Sequence, residues 1–442
     1  MSSLESSDIL RRAAHNFSRL LRSSGVAGVL ELVTVAILAR ALLPGLFGNL
    51  VLIQTYVLVF HGLFGFKLYE ILVRFGVPLL EANDRASFRQ LVRFTLLIDI
   101  TSSLVATLVA VIVALSAHKL LGWDAGIDSL TVMYSMILLT HGYGTAKGVL
   151  RIFDRYDLLG NQVMIGPVLR LIGVLIVMSL EPTLMLFVIA LAIATAASNL
   201  YLIAMGLMEL RRQMGAIRFN GPSLRSWRKQ FPGLRKFMFI LYWQGNVDLM
   251  PKHISTLLAG ALLGSVGAGL LRLARESAKI LSKPGGLLRQ VLFPDLVRTW
   301  VHGNSSFLFI LLRALIVSAL FGLIFVVAAM FGGSALLTAA LGAEYAPAAP
   351  LMTLLLLAAT IELMATVLRD AGYAIGNAGK ILWLYLISSA MYLVLFVALT
   401  RSLGLIGAGV AACIAALIPF VGTGLLVARG IRKQRASSML GS

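Results

Sequence analysis

Long apolar runs recur along the whole chain and are separated by short polar or basic segments. Three of them, residues 183–208, 314–343 and 402–428, contain no charged side chain. A helix needs about 20 apolar residues to cross the hydrocarbon core of a bilayer, so runs of this length are typical of transmembrane helices. Strands of a membrane barrel would instead show about ten residues of alternating polarity. The sequence therefore predicts an all-α, polytopic membrane protein.

The apolar runs can be divided into about twelve spans, six on each side of one long polar segment. The predicted spans are 25–43, 47–66, 94–117, 129–147, 163–180, 183–208, 237–259, 265–288, 306–330, 349–368, 381–400 and 404–428. This layout predicts two six-helix halves around a central cleft, a common plan for transporters. A G-x-x-G turn in both LLPGLFGNL (42–50) and ALLGSVGAGL (261–270) is consistent with an internal duplication.

The polar segments complete the predicted organisation. Near the N-terminus, apolar side chains alternate with arginines at helical spacing, which is typical of a helix that lies on the inner membrane surface. The predicted domains are an amphipathic surface helix (1–24), an N-terminal half (25–208), a basic cytoplasmic linker (209–236), a C-terminal half (237–428) and a basic cytoplasmic tail (429–442).

The distribution of basic residues predicts the orientation in the membrane. The net charge is +19, from 38 Lys and Arg against 19 Asp and Glu. In a soluble protein this charge would suggest a nucleic-acid partner, but here most cations lie in short loops between apolar runs. With a cytoplasmic N-terminus, 29 of the 38 lie in inside segments and only two, Lys119 and Arg401, in outside loops. The positive-inside rule therefore predicts that both termini are cytoplasmic, and it explains the net positive charge without a nucleic-acid partner.

Sequence motifs of enzymatic chemistry are missing. No Walker loop occurs, and the six histidines lack metal-ligand spacing. GYGTAKG (142–148) follows no predicted strand, and its glycines are interpreted as helix-packing positions. The single cysteine, Cys413, lies inside the last apolar run and is interpreted as a packing residue. The sequence predicts no catalytic residue, no metal and no cofactor.

Charged residues inside the apolar runs are the main candidates for function, because charge at membrane depth is costly and mostly faces a protein interior or a wet cavity. Seven cations fall inside predicted spans: Arg40, Arg170, Lys252, Arg272, Arg275, Lys279 and Arg313. At about 100° per residue, the charged residues of the eighth span share one face: Arg272, Arg275, Glu276 and Lys279. Three cations against one acid is an awkward balance for a purely structural cluster, so we expect an anionic ligand.

The first two predicted spans of each half contribute the remaining candidates. The cationic ones are Lys67 and Arg74 at the end of the second span, Arg40 in the first and Lys252 in the seventh. The acidic ones are Glu31, Glu70, Asp248 and Glu276. If these residues line one cleft, it carries net positive charge. Arginine forks and lysine point charges both pair with phosphate oxygens, so the cleft suits a lipid phosphate or diphosphate.

Structural interpretations of the same residues stay open. Lys67 and Arg74 fit positive-inside anchors, and Asp248 with Lys252 fits a structural ion pair. Arg40 lies close enough to the outer end of its span to reach the headgroups. The eighth-span charges fit a buried ion network. Two further cations are interpreted as isolated anchors near helix ends: Arg170 and Arg313.

Several stretches resemble a known family over nearly the whole chain. These are ILARALLPGLFGNL (37–50), NVDLMPKHISTLLAGALLGSVGAGLLRLARESAKILSKPGGLLRQVLFPDL (246–296) and LGAEYAPAAPLMTLLLLA (341–358). Together with the two-half layout and the basic N-terminal segment, they are similar to the polysaccharide-transport, or O-antigen flippase (Wzx-type), branch. That branch belongs to the multidrug/oligosaccharidyl-lipid/polysaccharide (MOP) exporter superfamily.

The resemblance implies a flippase that moves an undecaprenyl-diphosphate-linked oligosaccharide or polysaccharide repeat unit across a bacterial inner membrane by alternating access. Its partners would be the lipid-linked oligosaccharide and membrane lipids, with other glycan-assembly membrane proteins as further candidates. The diphosphate-binding role is carried onto Arg272, Arg275 and Lys279, and less securely onto Arg40 and Lys252. The candidates for ion coupling are Glu31, Asp248, Glu70 and Glu276.

Three other functions remain as alternatives. A cation-coupled multidrug exporter of the same superfamily predicts a cavity in which acids outnumber bases. A membrane enzyme of surface-glycan assembly predicts a catalytic outside loop, although the longest one, around 331–348, offers only Glu344 as a charge. A non-transporting scaffold predicts that neutralising the eighth-span charges affects stability alone. The lipid II flippase branch is ranked lower, because it usually has two additional helices.

Overall fold

The computed structural model describes residues 3–116, 126–215, 231–247, 249–301 and 306–440. Every long regular element in these ranges is a helix, which confirms the predicted all-α class. The α-helices are α1 (Ser3–Phe64), α2 (Leu68–Glu81), α3 (Arg85–Ala114), α4 (Ile127–Ser135), α5 (Gly144–Ile152), α6 (Tyr156–Ser179), α7 (Leu184–Met214), α8 (Leu234–Asn246), α9 (Met250–Val301), α10 (Ser306–Leu341), α11 (Ala349–Ala374), α12 (Ala378–Leu403) and α13 (Leu405–Leu440). Two 3₁₀ helices cover Met136–His141 and Ala343–Ala348.

Nine helical segments of the described ranges are long and apolar enough to cross a membrane. The predicted count of twelve is not confirmed. The first two predicted spans lie in one segment, Ser23–Glu81, because both fall almost entirely on α1, whose two parts are separated only by a kink at Leu43. The predicted span 129–147 is divided among α4, the 3₁₀ helix Met136–His141 and α5. Each of these pieces is shorter than the roughly 20 residues that a spanning helix needs.

Both longest helices contain a break in the regular backbone. In α1 the break is at Leu43 (φ 58°, ψ 166°), directly before Pro44. Proline disfavours the helical conformation in the residue before it and has no N–H to donate. In α9 the break is at Gly264 (φ 73°, ψ −179°), a conformation open to glycine without steric cost. Both breaks lie in the turn regions that the sequence predicts at 42–50 and 261–270.

The chain forms two compact units. Unit 1 comprises Met1–Leu42 and Ile53–Leu249, and unit 2 comprises Leu43–Leu52 and Met250–Ser442. The short segment of α1 in unit 2 is held by a close backbone contact, because a Cβ atom on Gly48 would lie 1.8 Å from the carbonyl oxygen of Ser265. The domain boundaries drawn from the sequence stay a prediction.

Unit 1 contains a helix that the sequence analysis did not separate from the inner loop. Helix α2 buries Leu68, Ile71 and Leu72 against α3, while Arg74 is exposed. This i, i+3, i+4 spacing is that of an amphipathic helix. The Asp84 side chain caps α3 by accepting the Ser87 N–H at 2.9 Å, and hydrogen bonds from the side chain and then the backbone of Ser87 lower the pKa of the Asp84 carboxyl.

Helix α3 shows how its residues divide between interior and membrane. Leu104, Leu108 and Ile112, spaced four residues apart, are all exposed. Ser103 and Thr107, on another face, are buried. Helices surrounded by lipid typically place small and weakly polar side chains where they contact other helices, and large apolar side chains on the outer face.

Candidate functional site

The charged face of α9 is organised around one buried carboxylate. Glu276 is only 7% exposed, and its Oε1 lies 2.7 Å from both Arg272 Nε and Lys279 Nζ. The i, i+4 and i, i+3 spacings place both cations over the same turn. One carboxylate balances only one of the two positive charges, so this group keeps a net positive charge. Lys279 is exposed, whereas Arg272 is half-buried.

Arg275, one turn away, has a different environment. Its guanidinium donates hydrogen bonds to the Lys252 carbonyl oxygen (2.7 Å), Thr256 Oγ1 (2.5 Å) and Ser255 Oγ (2.7 Å). A fourth hydrogen bond reaches the Tyr392 hydroxyl at 2.7 Å. These contacts tie the two arms of the kinked α9 to each other and to α12. None of the four partners is charged, so they orient the guanidinium without neutralising it.

Lys252 pairs with an acid that the sequence analysis missed. Its Nζ lies 3.5 Å from Glu362 Oε2 on α11, and both side chains are more than half exposed. The predicted partner, Asp248, lies outside the described residues. Glu362 is a single acid in an apolar run, which is the signal that would have found it. A pair as exposed as this contributes little to stability and leaves both groups accessible to a ligand.

The predicted candidates in unit 1 fall into separate places. Glu31 Oε1 lies 2.6 Å from Arg170 Nη1 on α6. The interpretation of Arg170 as an isolated anchor is therefore wrong. The two residues are 139 positions apart in the sequence, so helical spacing could not have joined them. Arg40 is exposed on α1.

The remaining candidates lie around the start of α2. Lys67 Nζ is 4.0 Å from Glu70 Oε1, which also accepts the Tyr69 hydroxyl at 2.9 Å. The Arg74 guanidinium lies 4.3 Å from the centre of the Phe237 ring on α8, in cation–π geometry. The structure thus brings Lys67 and Glu70 together, whereas Arg74 contacts the Phe237 ring of α8. One common cleft for all the candidates stays a prediction.

A buried acid in α3 was also missed by the sequence analysis. Asp99 is 4% exposed, and its carboxylate accepts the backbone N–H of Thr145 at 2.6 Å. Helix α5 begins at Gly144, so Asp99 stabilises the N-terminus of that helix from a neighbouring element. The signal is a single aspartate in the apolar run LLIDI (96–100), inside the predicted span 94–117.

Comparison with known proteins gives consistent relatives. Residues 13–300 match the sequence model of a family described as polysaccharide biosynthesis protein. The inner membrane protein YghQ of Escherichia coli (strain K12) is 25% identical over 337 residues, which cover 76% of this chain and 94% of that protein.

Two solved structures show the fold. An inward-facing multidrug resistance MATE family transporter of the MOP superfamily superposes with a TM-score of 0.72 at 14% identity, over 92% of this chain and 96% of that one. The lipid II flippase MurJ, in an inward closed conformation, superposes with a TM-score of 0.65 at 14% identity, over 95% and 90%. The chain therefore has the polytopic fold that these proteins share.

Proposed function

Because the chain belongs to the polysaccharide biosynthesis protein family and has a MOP-superfamily fold, we propose that it is a flippase for a lipid-linked oligosaccharide or polysaccharide repeat unit. The carrier lipid of this proposal is undecaprenyl diphosphate, and the membrane is the bacterial inner membrane. The relative YghQ is an inner membrane protein, and nine described segments have the length and composition of spans, which supports this location. Cytoplasmic termini stay a prediction from the basic residues.

The charge of α9 is the observation that carries the proposal. Arg272, Arg275 and Lys279 lie in the candidate span Met250–Lys279, and Glu276 is the acid placed among them. Uncompensated positive charge at membrane depth is unfavourable unless an anion or water faces it. A diphosphate supplies such an anion, with several oxygens that lysine and arginine can share.

In this proposal the cations have different roles. Arg272 and Lys279 share Glu276, so each can turn toward a phosphate while the other keeps the carboxylate. Arg275 is held by four uncharged acceptors and fixes the arms of α9 in place. Lys252 and Arg40, both exposed, are secondary candidates for contact with the headgroup.

Transport in this proposal proceeds by alternating access. The lipid tail stays in the bilayer, while the headgroup and sugars cross through the polar interior. The Glu31–Arg170 pair, Glu70 and Glu276 are the described candidates for coupling to an ion, because each is an acid close to a cation. When the substrate binds the cation that was paired with one of these acids, the acid loses its partner. Its charge state can then change, which is how substrate binding would be coupled to an ion.

A multidrug exporter is the second candidate. The MATE transporter is the structural relative with the higher of the two TM-scores, and acids such as the exposed Glu362 and the half-buried Glu31 suit an organic cation. This function requires the acids to dominate the binding site, whereas the α9 cluster holds three cations and one acid. The family and its structural relatives are compatible with a protein that is not an enzyme.

A complementation experiment tests the proposal. A deletion strain receives wild-type protein, Arg272→Gln/Lys279→Gln or the control Arg313→Gln, which changes an exposed cation of α10. Surface polysaccharide and lipid-linked repeat units on the inner leaflet are measured together. The proposal expects lost surface glycan and accumulated repeat units with the double variant, and neither with the control. Normal surface glycan in the deletion strain, with resistance to cationic drugs lost instead, would favour the exporter.

A further inference from the structure

A pocket lies entirely within unit 1, where the end of α1, the start of α2, the middle of α3, the start of α5 and the end of α8 meet. We name it the unit 1 pocket, and its polar lining includes Lys67, Tyr69, Asp99, Tyr143, Lys147 and Tyr242. Its volume is about 190 Å³. Pockets for drug-sized ligands usually enclose about 300–1,000 Å³, so this one suits a single headgroup-sized group.

The negative charge of Asp99 is already engaged by the protein. Its carboxylate accepts the Thr145 N–H at 2.6 Å, at the N-terminus of α5. The positive end of the helix dipole and the hydrogen bond both stabilise that charge. The two lysines therefore dominate the charge that the pocket presents to a ligand.

Lys147 has an aromatic partner instead of an acidic one. Its Nζ lies 4.8 Å from the centre of the Tyr69 ring, and the Arg151 guanidinium lies 4.4 Å from the same ring. Within the described residues no carboxylate lies within ion-pair distance of Lys147. Lys67 has a 4.0 Å contact with Glu70, whose carboxylate also accepts the Tyr69 hydroxyl. Two cations, Lys147 and Arg151, thus lie against the Tyr69 ring, and Lys67 lies beside Glu70, the acid that Tyr69 engages.

Aromatic rings form another part of the lining. The rings of His61 and His141 lie 4.6 Å apart, and Tyr143 lies against both. His141 Nδ1 is 2.9 Å from the Ile137 carbonyl oxygen, which can only accept, so this nitrogen donates. A partly dry wall strengthens the attraction between a lysine and an anion, because the local dielectric is lower than that of water.

We infer that the unit 1 pocket binds a phosphate-type anion, with Lys67 and Lys147 as its ligands and Tyr69 holding Lys147 in place. An organic cation is disfavoured there by the same two lysines. Two molecules carry such an anion: the lipid-linked substrate, through its diphosphate, and an anionic phospholipid, through its headgroup. The first source rests on the proposed function, whereas the second does not.

Binding to the purified full-length protein in neutral detergent tests the inference. The probes are farnesyl diphosphate and dioleoylphosphatidylglycerol, with farnesol and dioleoylphosphatidylcholine as uncharged or zwitterionic counterparts. The variant is Lys67→Gln/Lys147→Gln, which removes both positive charges and keeps an uncharged polar side chain at each position. The matched control is Arg235→Gln/Lys236→Gln, which removes the same charge from exposed positions of α8 in the same unit. Thermal unfolding of each protein without probe checks that it is folded.

The inference expects the pocket variant to bind at least one anionic probe about tenfold more weakly or worse, because each lost charge-assisted hydrogen bond weakens binding by about this factor. The control and the farnesol affinity should stay near wild type. Loss for farnesyl diphosphate alone identifies the substrate as the source, and loss for phosphatidylglycerol identifies the membrane lipid. Unchanged affinity for both anionic probes in a folded variant would overturn the inference.

The outcome is independent of the complementation experiment. If the pocket variant binds the probes as wild type does, but glycan export depends on this protein, the pocket inference is wrong and the proposed flippase function stands. If the pocket variant binds more weakly, but the deletion strain makes normal surface glycan, the anion pocket stands and the proposed flippase function is wrong.

Discussion

Leu43 and Gly264 adopt nearly the same left-handed backbone conformation, and each breaks one of the two longest helices. Five residues after each break comes a glycine, Gly48 or Gly269, and these two pack together. A Cβ atom on Gly269 would lie 3.2 Å from the Cα of Gly48. Two similar breaks with a glycine at the same offset are what an internal duplication would leave, in agreement with the G-x-x-G turns in the sequence.

The first prediction concerns the strain at Leu43. A non-glycine residue with these angles costs about 1–3 kcal/mol, and the Leu43 side chain is exposed, so little burial would be lost with it. We expect Leu43→Gly to raise the thermal unfolding midpoint of the detergent-solubilised protein. The reciprocal change, Gly264→Ala, should lower it, because alanine then takes on the strain. A lower midpoint for Leu43→Gly would contradict this assignment of strain.

The second prediction concerns the backbone contact at Gly48. A Cβ there would lie 1.8 Å from the Ser265 carbonyl oxygen, so Gly48→Ala forces two backbones apart. Overpacking of this kind costs about 1–3 kcal/mol or more, and we expect much less folded protein by size-exclusion chromatography. Gly45→Ala is the matched control, since no atom lies within 4 Å of its added Cβ. Equal yields of the two variants would show that the contact is absent.

The third prediction separates Arg275 from its neighbours on α9. Arg275→Gln leaves the acceptors on Ser255, Thr256 and Tyr392 without their shared donor, and the expected loss of stability is about 1–3 kcal/mol. Lys279→Gln should have little effect on the unfolding midpoint, because Lys279 is exposed and the Glu276 carboxylate keeps Arg272 as its partner. Equal midpoints for the two variants would mean that Arg275 does not hold the arms of α9 together.

The fourth prediction concerns Glu276 as the partner of two cations. Glu276→Gln removes the carboxylate that Arg272 and Lys279 share, so both cations become available to an anion. We expect the full-length protein to bind farnesyl diphosphate several-fold more tightly and to export less glycan, because release becomes slower. Weaker binding by a folded Glu276→Gln variant would show that the carboxylate does not compete with the ligand.

Much of the fold could be predicted from the sequence, because spanning helices leave long apolar runs. The helix breaks at Leu43 and Gly264 also lie in turns that glycine and proline indicate. Helix α2 is not predicted as a separate helix, although Leu68, Ile71 and Leu72 show helical spacing. The neighbouring basic residues indicate a cytoplasmic segment, and the amphipathic pattern is short.

The site was less predictable, because its contacts join distant positions. The eighth-span charges lie on one helix, so their proximity follows from spacing alone. The Glu31–Arg170 and Lys252–Glu362 pairs each join helices far apart in sequence, and nothing in either local pattern specifies the partner. The four acceptors of Arg275 depend on the angle at the Gly264 break and on the position of α12, which only tertiary packing determines.

Translocation in proteoliposomes tests the central claim most directly. Lipid-linked repeat units extracted from the deletion strain are incorporated with the purified protein, and their sugars are followed by their accessibility to an external lectin. The account predicts that the lectin-bound fraction rises with time beyond the outer-leaflet share with wild-type protein and Arg313→Gln, and does not rise with Arg272→Gln/Lys279→Gln. Accessibility that changes no faster than in protein-free liposomes, while the same vesicles transport a cationic dye, would contradict it.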